Sequence, residues 1–321
     1  MRVHPAIAAL RSDRAPQRQA QTAMKKAVES WRADRRIAKA LDEFEAFGRG
    51  LRLESCPALD EIFTGQDAAE RLVGSLVDRF CEALRDAPFG HPPFRNGFDG
   101  CASTMLLAKS GRAQLLLQAR EPGTYEAPCA SFTDAVRFDA VLAGRASAVI
   151  ARIHGPEEQV RFCDEDIVLE RGARLAFDCQ SETLLVTEVE TRLVALRLLQ
   201  APERPRPSRE YCRQDGSLVH RSAGSLGTSR REMIVALLGR MGRADAAPVL
   251  ARLATGEEGD SLRWQALREC LAMDTATGFA ALSRLAGDPA DSLAGDASAL
   301  RTALIETHPQ LHEWEKSQCL G

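Results

Sequence analysis

The sequence predicts an α+β chain: helices at the N-terminus, a central antiparallel β-barrel or jelly roll, and α-helical repeats at the C-terminus. Three observations carry this. Apolar residues recur at steps of three and four through two N-terminal stretches, the period of a helix with one buried face. Between residues 101 and 200, short apolar runs alternate with turn signals and no helical segment intervenes, the pattern of a sandwich or barrel. After residue 229 the chain repeats itself at a period of 32 residues. The expected division is 1–95, N-terminal helices; 96–200, β-domain; 201–228, linker; 229–321, helical repeats.

At 321 residues the chain exceeds one ordinary hydrophobic core, and 45% hydrophobic residues suffice for several. A net charge of −3 argues against a polyanion-binding protein as a whole. No apolar run approaches the roughly 20 residues that span a membrane, and Met1 to Pro5 lacks the apolar core of a secretory signal. The nine cysteines are odd in number and form no Cys-x-x-Cys pair; Cys81, Cys163, Cys179 and Cys270 sit inside apolar runs. Reduced cysteines in a cytoplasmic protein, away from membranes, are the expectation.

Residues 1–39 carry ten Lys or Arg against three acids, a local charge of +7. Ala15 to Leu41 reads as one amphipathic helix, with Ala23, Val28, Trp31, Ile37 and Leu41 on its stripe. Such a segment is either a basic arm for nucleic acid or a solvated helix docked on the β-domain. No exposed aromatics interleave its charges, which favours docking. Asp60 to Leu84 reads as a second helix, with Thr64 or Asp67 able to cap an inner start. Ala87 to Gly97, with three Pro and two Gly, is an irregular connection packed through Phe89 and Phe94; His91 within it reads as a loop histidine.

Ala102 to Ala119 reads as a hairpin turning at Lys109-Ser110-Gly111-Arg112. Further strands are expected at Phe138–Leu142, Ala146–Ile153, Glu158–Cys163, Ile167–Glu170, Leu175–Cys179, Thr183–Glu188 and Arg192–Leu199. Turn signals separate them at Ala143-Gly144, His154-Gly155-Pro156, Arg171-Gly172 and Gln180-Ser181. Arg137 and Asp139 alternate with Val136 and Phe138 and so share one strand face. They form either a salt-bridged surface face or an anion-recognition pair.

Within this region Gly123 leads after five residues to Cys129, then Ser131, then Asp134 as the nearest carboxylate, and Gly144 closes the stretch. A second set follows at Asp164, Glu170, Gly172, Leu175 and Cys179. This spacing resembles the two motifs of the cupin double-stranded β-helix, with Gly123, Gly144 and Gly172 at the family's turn glycines. The three histidine positions hold Cys129, Ser131 and Leu175. The resemblance therefore implies a cupin-like barrel without its metal, and no cofactor. Iron, manganese or zinc there would need converging imidazoles, and the β-region contains only His154. Cyclic-nucleotide-binding domains share the topology, but residues 140–200 lack their Gly-Glu pair followed by an arginine. The ligand-binding candidates at the barrel mouth are Cys129, Ser131, Asp134, Arg137, Asp139 and Cys179.

Ala201 to Ser208 carries three prolines in alternation and continues to Ser229 as a polar linker, with a short ordered segment around Tyr211. Arg231 to Ala254 then aligns with Arg263 to Ala286, each unit two helices joined at Gly242–Asp245 or Asp274–Thr277. The pattern resembles HEAT repeats, with Ser298 to Ile305 as a third, capping helix. His308 and His312, near Glu313 and Glu315, are interrupted by Pro309 and make a poor metal site.

No nucleophile elbow, P-loop, dinucleotide fingerprint or zinc-ligand spacing is present. The leading expectation is a non-catalytic binding or regulatory protein. It would sense a small ligand in the barrel or scaffold a protein partner through residues 229–321. The alternative is a metal-independent isomerase or lyase using Arg137, Asp134 or Asp139, and Cys129. Nucleic-acid binding through residues 1–39 stands third.

Overall fold

The computed structural model describes residues 13–311, which separate into two units between Ser222 and Ala223. The N-terminal helical pattern is broken twice, at Asp34 by a local cap and at Gly65 to Asp67 without one, since Asp67 has a left-handed backbone and its side chain does not cap. Helix α1 spans Ala15–Arg32 and α2 Arg35–Gly48, in place of one helix from Ala15 to Leu41. Between them Asp34 is extended, and its carboxylate accepts from the Arg36 N–H, so α2 starts from its own N-cap. The expected second helix is likewise two, α3 (Pro57–Thr64) and α4 (Ala68–Asp86), separated by Gly65 to Asp67. Glu43 of α2 caps α3 from outside, accepting from Ala58 N (2.6 Å) and Leu59 N (3.0 Å).

These helices spend their apolar stripes on one core. Met24, Trp31, Phe44, Phe47, Phe63, Leu72 and Leu76 pack together with Leu107, Leu115, Ala140, Leu196 and Leu198 of the β-region. Trp31 is fully buried, and its indole N–H donates to the Leu72 carbonyl at 3.1 Å. Arg174 pairs with Glu70 at 2.8 Å, tying a strand to α4. The connection after α4 anchors through Phe94, edge-on to Phe80 at 6.1 Å; His91 is exposed.

In chain order the strands are β1 (Arg95–Phe98), β2 (Ser103–Ser110), β3 (Ala113–Arg120), β4 (Gly123–Thr124), β5 (Cys129–Phe132) and β6 (Val136–His154). They continue with β7 (Arg161–Glu170), β8 (Arg174–Asp178), β9 (Glu182–Gln200), β10 (Ser208–Cys212) and β11 (Leu218–Ser222). One sheet of eight runs β1-β2-β3-β9-β6-β7, with β4 on β9 and β8 on β6; a second runs β11-β10-β5. Every pairing is antiparallel. The result is an antiparallel sandwich compatible with a jelly roll, helices covering one face of the larger sheet.

Two features depart from expectation. Phe138–Leu142 and Ala146–Ile153 are one 19-residue strand, as are Thr183–Glu188 and Arg192–Leu199, and Glu158–Cys163 and Ile167–Glu170 are likewise one strand, starting only at Arg161. Gly144 does not turn the chain; it sits at register shifts where β6 bulges against β9. Its φ is +91°, and a Cβ there would lie 2.2 Å from the Arg192 carbonyl oxygen. A bulge glycine and a turn glycine read alike in sequence, because both need positive φ. Second, the stretch expected as linker contains the β10–β11 hairpin, which adds its strands to β5.

The second unit holds α5 (Leu226–Arg240), α6 (Ala247–Ala254), α7 (Asp260–Met273), α8 (Thr275–Ala286) and α9 (Ala294–Thr307). Ser225 caps α5 and Asp274 caps α8 through side-chain oxygens. Val235, Leu250, Leu262, Leu267, Cys270, Phe279, Leu282 and Leu285 form its core. Arg263 is buried there, donating to the Ala254 carbonyl at 2.9 Å and pairing with Asp291. On α5, Met233, Ile234 and Leu237 are exposed, as is Met241 at its C-cap. His308 follows α9, while His312, Glu313 and Glu315 lie outside the described residues. Among the described residues no helix is long and apolar enough to cross a membrane.

Replacing Gly144 by Ala should lower the stability of the first unit by at least about 2 kcal/mol, from strain plus a backbone clash. Gly172→Ala, with φ of +92° but open space around its Cβ, should cost only about 1 kcal/mol. Urea titrations followed by tryptophan fluorescence, with Trp264 and Trp314 replaced by Phe so that Trp31 alone reports the first unit, would compare the two.

Candidate functional site

Because side chains alternate along a strand, β6 and β9 each serve two environments. Phe138, Ala140, Leu196 and Leu198 face the helices. Arg137, Asp139, Val141, Ala195 and Arg197 instead line a cavity of about 70 Å³. Gln118 and Arg120 of β3 join them, and Leu169, Leu175, Val186 and Leu193 supply apolar wall.

Asp139 is the centre of the polar part. It is 2% exposed and stands opposite Arg197 in the β6–β9 register. Its Oδ1 accepts from Arg197 Nε at 2.8 Å and Arg137 Nε at 3.1 Å. Its Oδ2 accepts from Arg137 Nε at 2.9 Å and Arg197 Nη2 at 3.0 Å, and from Arg137 Nη2. Burial alone would raise this carboxyl, but the two guanidiniums outweigh it and hold Asp139 well below the usual carboxylate range. Burial in turn lowers the Arg197 guanidinium from its ordinary value. Arg137 also lies over the Phe177 ring at 5.0 Å. Arg120 makes no ion pair among the described residues; its guanidinium sits 5.5 Å from the Tyr125 ring centre. Three arginines against one carboxylate leave the lining with a net charge of +2.

The structure thus brings Arg137 and Asp139 together, as a buried pair rather than a salt-bridged surface face. Cys179 is buried beside Ile150 and Phe177, where burial pushes its thiol up while Arg137, Asp139 and Arg197 all act on it. Cys179 does not line the cavity, and neither do the other three candidates. Cys129 and Ser131 belong to β5 in the smaller sheet, where Ala130 and Phe132 take the buried face and Ser131 is exposed. Asp134 is occupied by backbone and amide, accepting from Arg206 N at 2.8 Å and from Gln180 Nε2. Of the second motif set, Leu175 lines the cavity, Asp164 pairs with Arg213, and Glu170 with Arg145. Sequence reasoning missed Gln118, Arg120 and Arg197. The signals were present: Gln114, Gln118 and Arg120 alternate with leucines in β3, and Arg197 interrupts an apolar run.

A cupin-type metal does not fit this donor set. The cavity's one carboxylate is already held by two guanidiniums, no imidazole lines the wall, and a lining of net positive charge repels a cation. Among the described residues no group of three or more His, Cys, Asp or Glu gathers elsewhere.

No family model matches the chain, and no curated protein matches it. Similar solved structures include the 7S globulin of Momordica charantia, at 18% identity over 38% of this chain and 36% of that one, with a TM-score of 0.28. Ectoine synthase from P. lautus is similar at 13% identity over 33% of this chain and 69% of that one, TM-score 0.25. A cupin superfamily protein from Desulfitobacterium hafniense DCB-2 matches at 18% identity over 33% of this chain and 83% of that one, TM-score 0.23. The chain spans about a third of the globulin's length, and likenesses at these TM-scores do not assign it to a family.

Asp139→Asn keeps the shape but strands two guanidiniums without a counter-charge, and should cost about 3–5 kcal/mol. Because the folded Asp139 titrates below its unfolded value of about 3.9, its stabilisation is full above that pH and is lost as pH falls further. Urea midpoints of wild type and Asp139→Asn should therefore converge below about pH 4 and stay apart from pH 5 to 8.

Proposed function

We propose that the β-unit binds a small organic anion in the arginine-lined cavity, and that the chain is a binding or regulatory protein of cupin-like architecture. The observation that carries this is Arg120: a cavity-lining guanidinium in no ion pair among the described residues, acting on the Asp99 carboxylate only through its charge, beside an Arg137–Asp139–Arg197 triad that already carries net positive charge. Arg137 and Arg197 are fixed by Asp139 and present their remaining N–H groups without rearrangement. Water occupies about 30 Å³ of liquid per molecule, so the cavity of about 70 Å³ suits a ligand of a few heavy atoms. Its apolar wall favours a short-chain carboxylate over a bare inorganic ion.

Binding accounts for these groups better than metal-independent catalysis. Asp139 has its lone pairs committed and its basicity depressed, which makes it a poor general base. Cys129 stands in the smaller sheet outside the cavity lining, with its thiol pushed up by burial, which makes it a poor nucleophile for a ligand held there. Nucleic-acid binding ranks last: α1 and α2 expose Lys25, Lys26, Arg32, Arg35 and Arg36 but bury Trp31, Phe44 and Phe47.

Calorimetric titration with acetate, propionate and inorganic phosphate tests this reading. Propionate should bind best, and Arg120→Ala should weaken it at least about tenfold, the worth of one charged hydrogen bond, without lowering the unfolding midpoint. Failure of all three anions to bind at millimolar concentration, or equal affinity in Arg120→Ala, would refute it.

The scaffold reading rests on a separate observation. Met233 and Leu237 follow one face of α5 at helical spacing, 62% and 56% exposed, and Met241 continues that line at its C-cap. We infer that this face takes a protein partner. The double variant Met233→Glu/Leu237→Glu should then shift the thermal unfolding midpoint by less than about 2 °C, because neither side chain supports the core.

A further inference from the structure

Cys129 of β5 and Cys212 of β10 are far apart in sequence but stand directly opposite each other in the smaller sheet. The Arg213 N–H donates to the Pro128 carbonyl at 2.8 Å. That makes 128/213 a hydrogen-bonded position, so the adjacent 129/212 pair is a non-hydrogen-bonded one. At such positions opposite Cα atoms lie about 4.5 Å apart, within the roughly 4.4–6.8 Å that a disulfide spans. Directly opposite residues project from the same face, and the other face here belongs to the buried Ala130, Phe132 and Tyr211. Neither thiol is in a disulfide, both are half-buried, and the Asp215 carboxylate accepts from the Cys212 thiol. Among the described residues no other two cysteines are in register: Cys163, the remaining strand cysteine, faces Arg152.

We propose that Cys129 and Cys212 form a reversible disulfide that staples β5 to β10 when the chain meets a low-molecular-weight disulfide. One thiolate attacks a sulfur of the reagent RSSR, forming a mixed disulfide and releasing RS⁻. The second thiolate attacks the protein sulfur of that mixed disulfide, closes the Sγ–Sγ bond and releases the second RS⁻. The two protons lost by the cysteines end on the two RSH products, so the protein is oxidised by two electrons and the reagent reduced by two. Burial, and with it Glu210 and Cys212, pushes the Cys129 thiol up, so the reaction is slow at neutral pH and faster under alkaline conditions. The bond closes the long loop between the strands, holding the β10–β11 hairpin to the rest of the unit.

The test is incubation of the full chain with oxidised glutathione at pH 8.5, alkylation of remaining thiols, and peptide mapping by mass spectrometry without reduction. The expected result is one linked pair containing Cys129 and Cys212, lighter by two hydrogens than the separate peptides and separated again by dithiothreitol. Oxidised wild type should gain on the order of 5–10 °C in thermal midpoint, from restriction of the unfolded chain. Cys212→Ser, a near-isosteric change, should unfold like reduced wild type and gain nothing on oxidation. Recovery of both cysteines as alkylated or glutathionylated peptides, or linkage of either to another cysteine, would overturn the proposal.

Discussion

Strands β6 and β9 run antiparallel beside each other from Val136 opposite Gln200 to Arg152 opposite Glu182. The larger sheet is assembled on this ladder, with β3 and β4 attached to β9, β7 and β8 to β6, and β2 and β1 following from β3. The same ladder divides the first unit chemically. Ala140, Leu196 and Leu198 go to the helices, while Asp139 and Arg197 go to the cavity. A slip of one residue would exchange these sets, placing charge against Phe63 and Trp31 and leaving apolar groups in the cavity. The cross-strand Asp139–Arg197 pair makes that slip costly, since it is satisfied in only one register.

Stability alone does not account for the triad. Taking two guanidiniums and a carboxylate out of water costs several kcal/mol per ion, and well-packed apolar replacements of such groups are often as stable or more so. What the arrangement provides is preorganisation. Arg137 and Arg197 are each fixed by a carboxylate that stays ionised at every physiological pH, so in the binding role proposed above an entering anion would not have to order them. The Phe177 and Tyr125 rings restrict Arg137 and Arg120 further.

Much of the architecture was legible in the sequence, because periodicity reports burial directly. The helical stripe through Val28, Trp31 and Ile37, the Gly111 hairpin and the positions of the C-terminal helices all follow from spacing. What was not legible depends on pairing between distant segments. Gly144 signals positive φ but not whether the chain reverses or merely bulges. Cys129 and Ser131 fitted a motif spacing, yet β5 belongs to another sheet, which only its partner β10 decides. Asp34 looked like one more charge in a helix until its side chain was seen to bond the Arg36 N–H. In the cavity, Arg137 and Asp139 were visible as strand neighbours, whereas Arg120 and Arg197 come from strands on the far side of the register.

The β10–β11 hairpin has a bearing on how the protein can be dissected. Tyr211 is wholly enclosed with Phe132 and Val160, and Val160 and Gly216 exchange a backbone contact across the same junction. A fragment ending at residue 200 would retain every strand that lines the arginine cavity, yet would leave β5 with a bare edge and an aromatic cleft open to water. Such a fragment would self-associate through that edge, and an aggregated sample would wrongly suggest an unstable cavity. Cutting after Ser222 instead keeps the hairpin with the strand it completes.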